Sequence, residues 1–101
     1  MTLSIDTSDN KKVTVGLDGE SWDFLVTKPG SQSLLNLIDE ILKKEGKTTK
    51  DLNSLKVNSG PGSYTGLKVG TAVANALAWS LKIPVNGREQ VFPTYEEEEK
   101  R

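Results

Sequence analysis

Hydrophobic and polar positions alternate from the first residues. In LSIDTS (3–8), Leu3 and Ile5 sit between polar neighbours, and the segment runs into the turn-forming TSDN. KVTVGLDG (12–19) repeats the pattern with Val13, Val15 and Leu17 and closes on Asp18-Gly19, a strong hairpin signal. ESWDFLV (20–26) supplies the return strand, with Trp22, Phe24 and Val26 on one face. These three segments predict consecutive antiparallel strands. The period then changes. In SLLNLIDEILKKEG (33–46), Leu34, Leu35, Leu37, Ile38, Ile41 and Leu42 follow helical spacing, and Gly46 stands where a helix-ending glycine belongs. A short turn or half-helix over 48–54 leads to a brief strand, LKVN (55–58). GLKVGTAVANALAWSLK (66–82) predicts a second helix, and IPVNG (83–87) a last short strand.

The order β-β-β-α-β-α-β predicts a mixed α/β layer fold with a five-stranded sheet, of the ribonuclease H-like or actin-like half type. With 101 residues there is room for one domain at most. That domain is expected over 1–87. The remainder, REQVFPTYEEEEKR (88–101), reads as a charged, solvated, flexible tail.

Composition narrows the chemistry. The sequence contains neither histidine nor cysteine, so most transition-metal sites and every triad with a histidine base are excluded. The absent cysteine also excludes disulfides. A net charge of −1 gives no global attraction for nucleic acid or acidic membranes. No apolar run approaches a membrane span, and the first residues lack a signal pattern, so a cytoplasmic setting is the expectation.

SGPGSYTGLKVG (59–70) carries the main question. A glycine-rich turn between strand and helix is where phosphate-binding loops sit. Gly60, Gly62 and Gly66 have neither dinucleotide-loop spacing nor a Walker lysine. Asp6 and Thr7, at the end of the first strand, are the other residues a nucleotide site would use. The competing reading is a ridge. Gly62, Gly66, Gly70, Ala74 and Ala78 recur every four residues, and such a smooth stripe lets another element come close. The helix is apolar nearly all round, so it must be covered on more than one side. Leu34, Leu35, Ile38, Ile41 and Leu42 of the first helix, with Gly66, Gly70, Thr71, Ala74 and Ala78 of the second, are the expected partner interface. Packing of the ridge on the domain's own sheet is the alternative. Lys43, Lys44, Lys47 and Lys50 are a weaker candidate for direct nucleic-acid binding, because acidic residues interleave with them.

LSIDTS, SQSLLNLIDEILKKEG and TTKDLNSLKVNSGPGSYTGLKVGTAVANALAWSLKIPVNG together resemble the bacterial TsaB (YeaZ) family over about residues 3–87. The most specific element is GPGSYTGLKVG with the alanine-rich helix after it. The resemblance implies an actin-like N-terminal domain and a role in making N6-threonylcarbamoyladenosine at position 37 of tRNA. It implies a non-catalytic scaffold that pairs with the transferase TsaD, with the ATPase TsaE joining. No cofactor and no metal are implied, tRNA is met only through the complex, and a homodimer is expected when TsaD is absent. Two departures stand out. The family's usual second domain after IPVNG is not in this sequence, and Gly30 and Ser31 fill a region where relatives commonly carry a histidine. The alternative function is a small actin-like nucleotide-binding protein using Asp6, Thr7, Gly60 and Gly62.

Overall fold

The opening alternation becomes three strands in the computed structural model, which describes residues 1–26 and 30–95. β1 spans Thr2–Asp9, β2 Lys12–Leu17 and β3 Glu20–Leu25. Successive side chains of a strand point to opposite faces. The antiparallel register sets Leu3 opposite Leu17 and Ile5 opposite Val15, so the apolar rows of β1 and β2 coincide. Trp22 and Phe24 of β3 fall opposite Val15 and Val13 and extend the same row. Asp18 and Gly19 turn the β2–β3 hairpin with φ of 47° and 97°, the left-handed pair that matches strand twist.

α1 spans Ser31–Lys44 and buries Leu34, Ile38, Ile41 and Leu42. It ends where Gly46 takes φ 69°. The Lys47 amide then donates to Leu42 O at 2.8 Å and the Gly46 amide to Lys43 O at 3.0 Å, satisfying carbonyls the helix leaves open. A 3₁₀ turn, Thr49–Asp51, leads into β4, Ser54–Val57, which runs parallel to β1 with Leu55 beside Leu3. α2, Tyr64–Leu81, packs across β1, β4 and α1. Leu3, Val15, Leu55 and Ala74 lie in one core with the buried face of α1.

The sheet has four strands in the order β3-β2-β1-β4, not the expected five. The segment 83–87 contributes one parallel bridge, Val85 to Leu55. Pro84 has no amide hydrogen to give to a ladder. Asn86 and Gly87, at φ 52° and 74°, turn the chain away immediately. Val85 and Arg88 close that turn with paired bonds of 2.8 and 2.9 Å. The Asn86 side chain then stands in for the missing strand. Its amide oxygen accepts from Val57 N at 2.9 Å and its amide nitrogen donates to Val57 O at 3.0 Å.

The beginning of the expected flexible tail is held to the domain. Val91 is buried, and Asn75 of α2 grips its backbone from both sides, at 2.8 and 2.9 Å. The Thr94 amide donates to Ser59 O at 2.6 Å, and the Tyr95 ring lies 4.5 Å from that of Tyr64. Residues 96–101, which carry the acidic run of the expected tail, lie outside the described residues.

Candidate functional site

β1 and β4 are parallel neighbours, and their carboxyl ends meet the loop 58–63. Crevices at such strand ends are where α/β proteins hold ligands. Here the polar groups are already engaged. Asp6 Oδ1 accepts from the Ser8 amide at 2.9 Å and from Ser8 Oγ at 2.6 Å, and Asp6 Oδ2 accepts from Asn58 Nδ2 at 3.3 Å. Partial burial works to raise the Asp6 carboxyl. The hydrogen bonds from the Ser8 side chain and backbone and from Asn58, with the charge of Lys12, outweigh it and hold the group below its usual range.

The glycine loop is also committed inward. A phosphate cradle needs free backbone amides aimed at the ligand. The Gly60 amide donates to Asn58 Oδ1 at 3.0 Å, the Ser63 amide to Ser8 O at 2.8 Å, and the Gly66 amide to Ser63 Oγ at 3.2 Å. Gly62 lies on Ser8 so closely that a Cβ there would stand 2.7 Å from Ser8 Cβ. The Asp6 carboxylate and the Gly60 amide, two of the groups that a nucleotide site would use, thus bond to other groups of this chain. Among the described residues no cluster of three His, Cys, Asp or Glu side chains could hold a metal ion.

The ridge has a definite neighbour. Thr7 at the end of β1 is 3% exposed, and its hydroxyl donates to Gly66 O at 2.5 Å. A Cβ on Gly66 would collide with the Thr7 carbonyl oxygen, and one on Gly70 with the Thr7 hydroxyl. The two glycines thus let α2 come down onto a strand, not onto a second helix. Ala74 and Ala78 continue the same contact into the core, and Thr71 is buried with its hydroxyl donating to Leu67 O at 2.8 Å. The expected partner interface is corrected accordingly. Leu34, Ile38, Ile41, Leu42, Gly66, Gly70, Thr71, Ala74 and Ala78 are all buried within this chain, and of that set only Leu35 reaches the surface. Four-residue spacing selects a helix face, and the strand end beneath α2 decides what that face meets.

The opposite side of α2 is the surface that sequence reasoning missed. Lys68, Ala72, Ala76 and Trp79 follow one another along it at helical spacing, all exposed. Trp79 is 84% exposed, and Tyr64 and Phe92 are largely exposed as well. The signal was in the sequence: a helix apolar all round, with Ala72 and Ala76 on the side away from the glycines. Of the lysines considered for nucleic acid, Lys43 pairs with Asp39 at 3.1 Å, and Lys44 lies 5.7 Å from the centre of the Trp22 ring.

The family model described as TsaD, tRNA N6-adenosine threonylcarbamoyltransferase, matches residues 25–88. The chain is 43% identical over 58 residues to the tRNA threonylcarbamoyladenosine biosynthesis protein TsaB of Bacillus subtilis, covering 57% of this chain and 22% of that protein. It is 34% identical over 86 residues to TsaB of Haemophilus influenzae, covering 82% of this chain and 36% of the relative. The solved structure of YeaZ from Pseudomonas aeruginosa superposes with a TM-score of 0.69 at 25% identity, over 83% of this chain and 41% of that one. The chain therefore spans well under half the length of the relatives it matches.

Proposed function

Because the chain belongs to the family described as tRNA N6-adenosine threonylcarbamoyltransferase, and within it to the TsaB (YeaZ) proteins, we propose that it serves in threonylcarbamoyladenosine biosynthesis on tRNA as a non-catalytic partner of TsaD. The similarity to TsaB proteins, 34% identical over 86 residues for the Haemophilus influenzae relative, is the observation that carries this reading. The composition supports the non-catalytic part, since without histidine or cysteine the chain lacks the usual metal ligands and nucleophile–base pairs. The engaged Asp6 carboxylate and loop amides support it too.

The partner surface in this reading is the outer face of the helices: Leu35 on α1 and Lys68, Ala72 and Ala76 on α2. Small residues there permit close approach of a partner helix. A second copy uses the same face when TsaD is absent, so homodimer and heterodimer compete. TsaE joins the heterodimer, and tRNA is met through the complex. The setting is the cytoplasm, and no helix among the described residues is long and apolar enough to cross a membrane.

Light scattering of the chain with its cognate TsaD, and threonylcarbamoyladenosine formation by TsaD with and without it, test the reading. A stable heterodimer and stimulated product formation are expected. A chain that neither binds TsaD nor alters its output overturns the proposal. ATP is not expected to bind, and a calorimetric Kd below about 10 μM, or roughly −7 kcal/mol, would revive the nucleotide-binding alternative.

A further inference from the structure

The outer edge of β4 is closed by one short segment. The Leu55 amide donates to Pro84 O, and Leu55 O accepts from the Asn86 amide, each at 2.9 Å. Further along β4 a side chain takes over from backbone. Asn86 Oδ1 accepts from Val57 N at 2.9 Å, and Asn86 Nδ2 donates to Val57 O at 3.0 Å. A carboxamide carries the donor and acceptor of a peptide group, so it continues the ladder where the chain has turned off. Asn86 is followed by Gly87, and of the asparagines in the sequence it alone precedes a glycine. Glycine has no side chain to shield its nitrogen. Both residues are exposed to water. Among the described residues the Gly87 amide donates to no acceptor. A side-chain carboxamide and an unengaged amide on the next residue are the two reactants of cyclic imide formation.

We propose that Asn86 is a site of spontaneous deamidation, and that its grip on Val57 both slows the reaction and is destroyed by it. The Gly87 nitrogen bonds to Asn86 Cγ, the Cγ–Nδ2 bond breaks, and Nδ2 leaves as ammonia, taking up the Gly87 proton. Water then opens the imide at either of its carbonyls and returns an aspartate or an isoaspartate at 86. Nothing is oxidised or reduced, and water is the sole co-reactant. The two bonds to Val57 fix the plane of the amide and hold Nδ2, the leaving group. Ring closure must first break them, so the fold guards the site. The product cannot restore them. A carboxylate at 86 has no hydrogen to give to Val57 O and would set negative charge against it. An isoaspartate also lengthens the main chain within the turn that Val85 and Arg88 close. Either product leaves Val57 with an unpaired N–H and C=O on a strand edge. This inference goes beyond the pairing with TsaD and does not depend on it.

Peptide mapping by mass spectrometry tests it, on the full chain incubated near neutral pH with and without guanidinium chloride. Conversion is expected at Asn86 ahead of Asn10, Asn36, Asn53, Asn58 and Asn75. In the folded chain it should run about tenfold or more slower than in the unfolded chain, the worth of two such hydrogen bonds. Gly87→Val should slow it sharply in guanidinium chloride, where no fold is at stake. Amide hydrogen exchange reads the consequence. In the aged, converted chain and in Asn86→Asp the Val57 amide should lose protection, while Ile5 in β1 changes only with global stability. The aged parent supplies this readout even if Asn86→Asp does not fold. The proposal is overturned if Asn86 stays intact while another asparagine converts, or if Gly87→Val converts as fast as the parent. It is equally overturned if the folded chain converts as fast as the unfolded one, or if Val57 keeps its protection after conversion.

Discussion

The Thr7 hydroxyl donates a 2.5 Å hydrogen bond to the carbonyl of Gly66, 59 residues away in sequence, and so ties the end of β1 to the first turn of α2. Substitutions on the two sides of this contact should behave differently. Gly66→Ala forces a methyl group into the Thr7 backbone carbonyl, which cannot rotate away. A loss of about 1–3 kcal/mol is expected, as for overpacked cores. Gly70→Ala meets only the Thr7 side chain and gains about 1 kcal/mol of helix propensity, so it should cost less. In a Thr7→Ala background the Gly70→Ala penalty should vanish. A double-mutant cycle by urea unfolding checks this, and a Gly70→Ala penalty unchanged by Thr7→Ala would contradict the contact.

Ala74 and Ala76 stand on opposite sides of α2, the first buried and the second exposed. Ala74→Leu should therefore lower stability by about 1–3 kcal/mol through overpacking and act on binding only through folding. Ala76→Arg should leave the urea midpoint within about 0.5 kcal/mol of the parent, as surface changes do. It should nevertheless weaken TsaD about tenfold or more. Titration calorimetry with circular dichroism separates the two. Equal TsaD affinity for parent and Ala76→Arg would move the proposed interface off this face.

Asp6 titrates below its usual range because hydrogen bonds to its ionised form outweigh burial. Its contribution is therefore complete above the unfolded value of about 3.9 and is lost as pH falls through the lower folded value. Asp6→Asn removes that dependence. Between about pH 5 and pH 2.5 the parent's urea midpoint should fall more steeply than the variant's. Parallel curves would show that Asp6 is not held as the geometry implies.

Asn75 spends both ends of its amide on the backbone of Val91. Asn75→Leu leaves that N–H and C=O without partners, at a cost of about 1–3 kcal/mol, toward the lower end because the site is only half-buried. Hydrogen exchange at the Val91 amide should accelerate sharply, while exchange in β1 slows or quickens only with global stability. Unchanged protection at Val91 would mean that the segment is held by something else.

How far the sequence was legible depended on range. The alternation at Leu3, Ile5, Val13 and Val15 and the Asp18-Gly19 turn state local geometry, and the strands formed where they indicated. Leu34, Ile38, Ile41 and Leu42 likewise marked the buried face of α1. The ridge was recognisable, but its destination was not, because helix-on-helix and helix-on-strand contacts demand the same small residues. Only the three-dimensional meeting of Thr7 with Gly66 decides between them. The fifth strand failed at Pro84 and Asn86, where a missing donor and a left-handed turn overrode an apolar pair. Val91 was hidden by the charged residues around it. The inward use of Asp6 and the loop amides depends on Ser8, Asn58 and Ser63, whose roles appear only once the strand ends are side by side.

The parallel pairing of β1 with β4 has a consequence for synthesis. Thr2 and Ser54, which touch across that pair, are 52 residues apart, and β1 is an interior strand. During translation at about 5–20 residues per second, β1 waits roughly 3–10 s with one edge unpaired. The β1–β2–β3 hairpins can close earlier, leaving a small sheet whose apolar face is met first by α1 and still lacks α2 when β4 is made. A nascent chain in that interval is open to strand addition by another chain. Slow codons between α1 and β4 would lengthen the exposure, and arrested ribosome complexes ending near Ser54 should show the highest occupancy by chaperones.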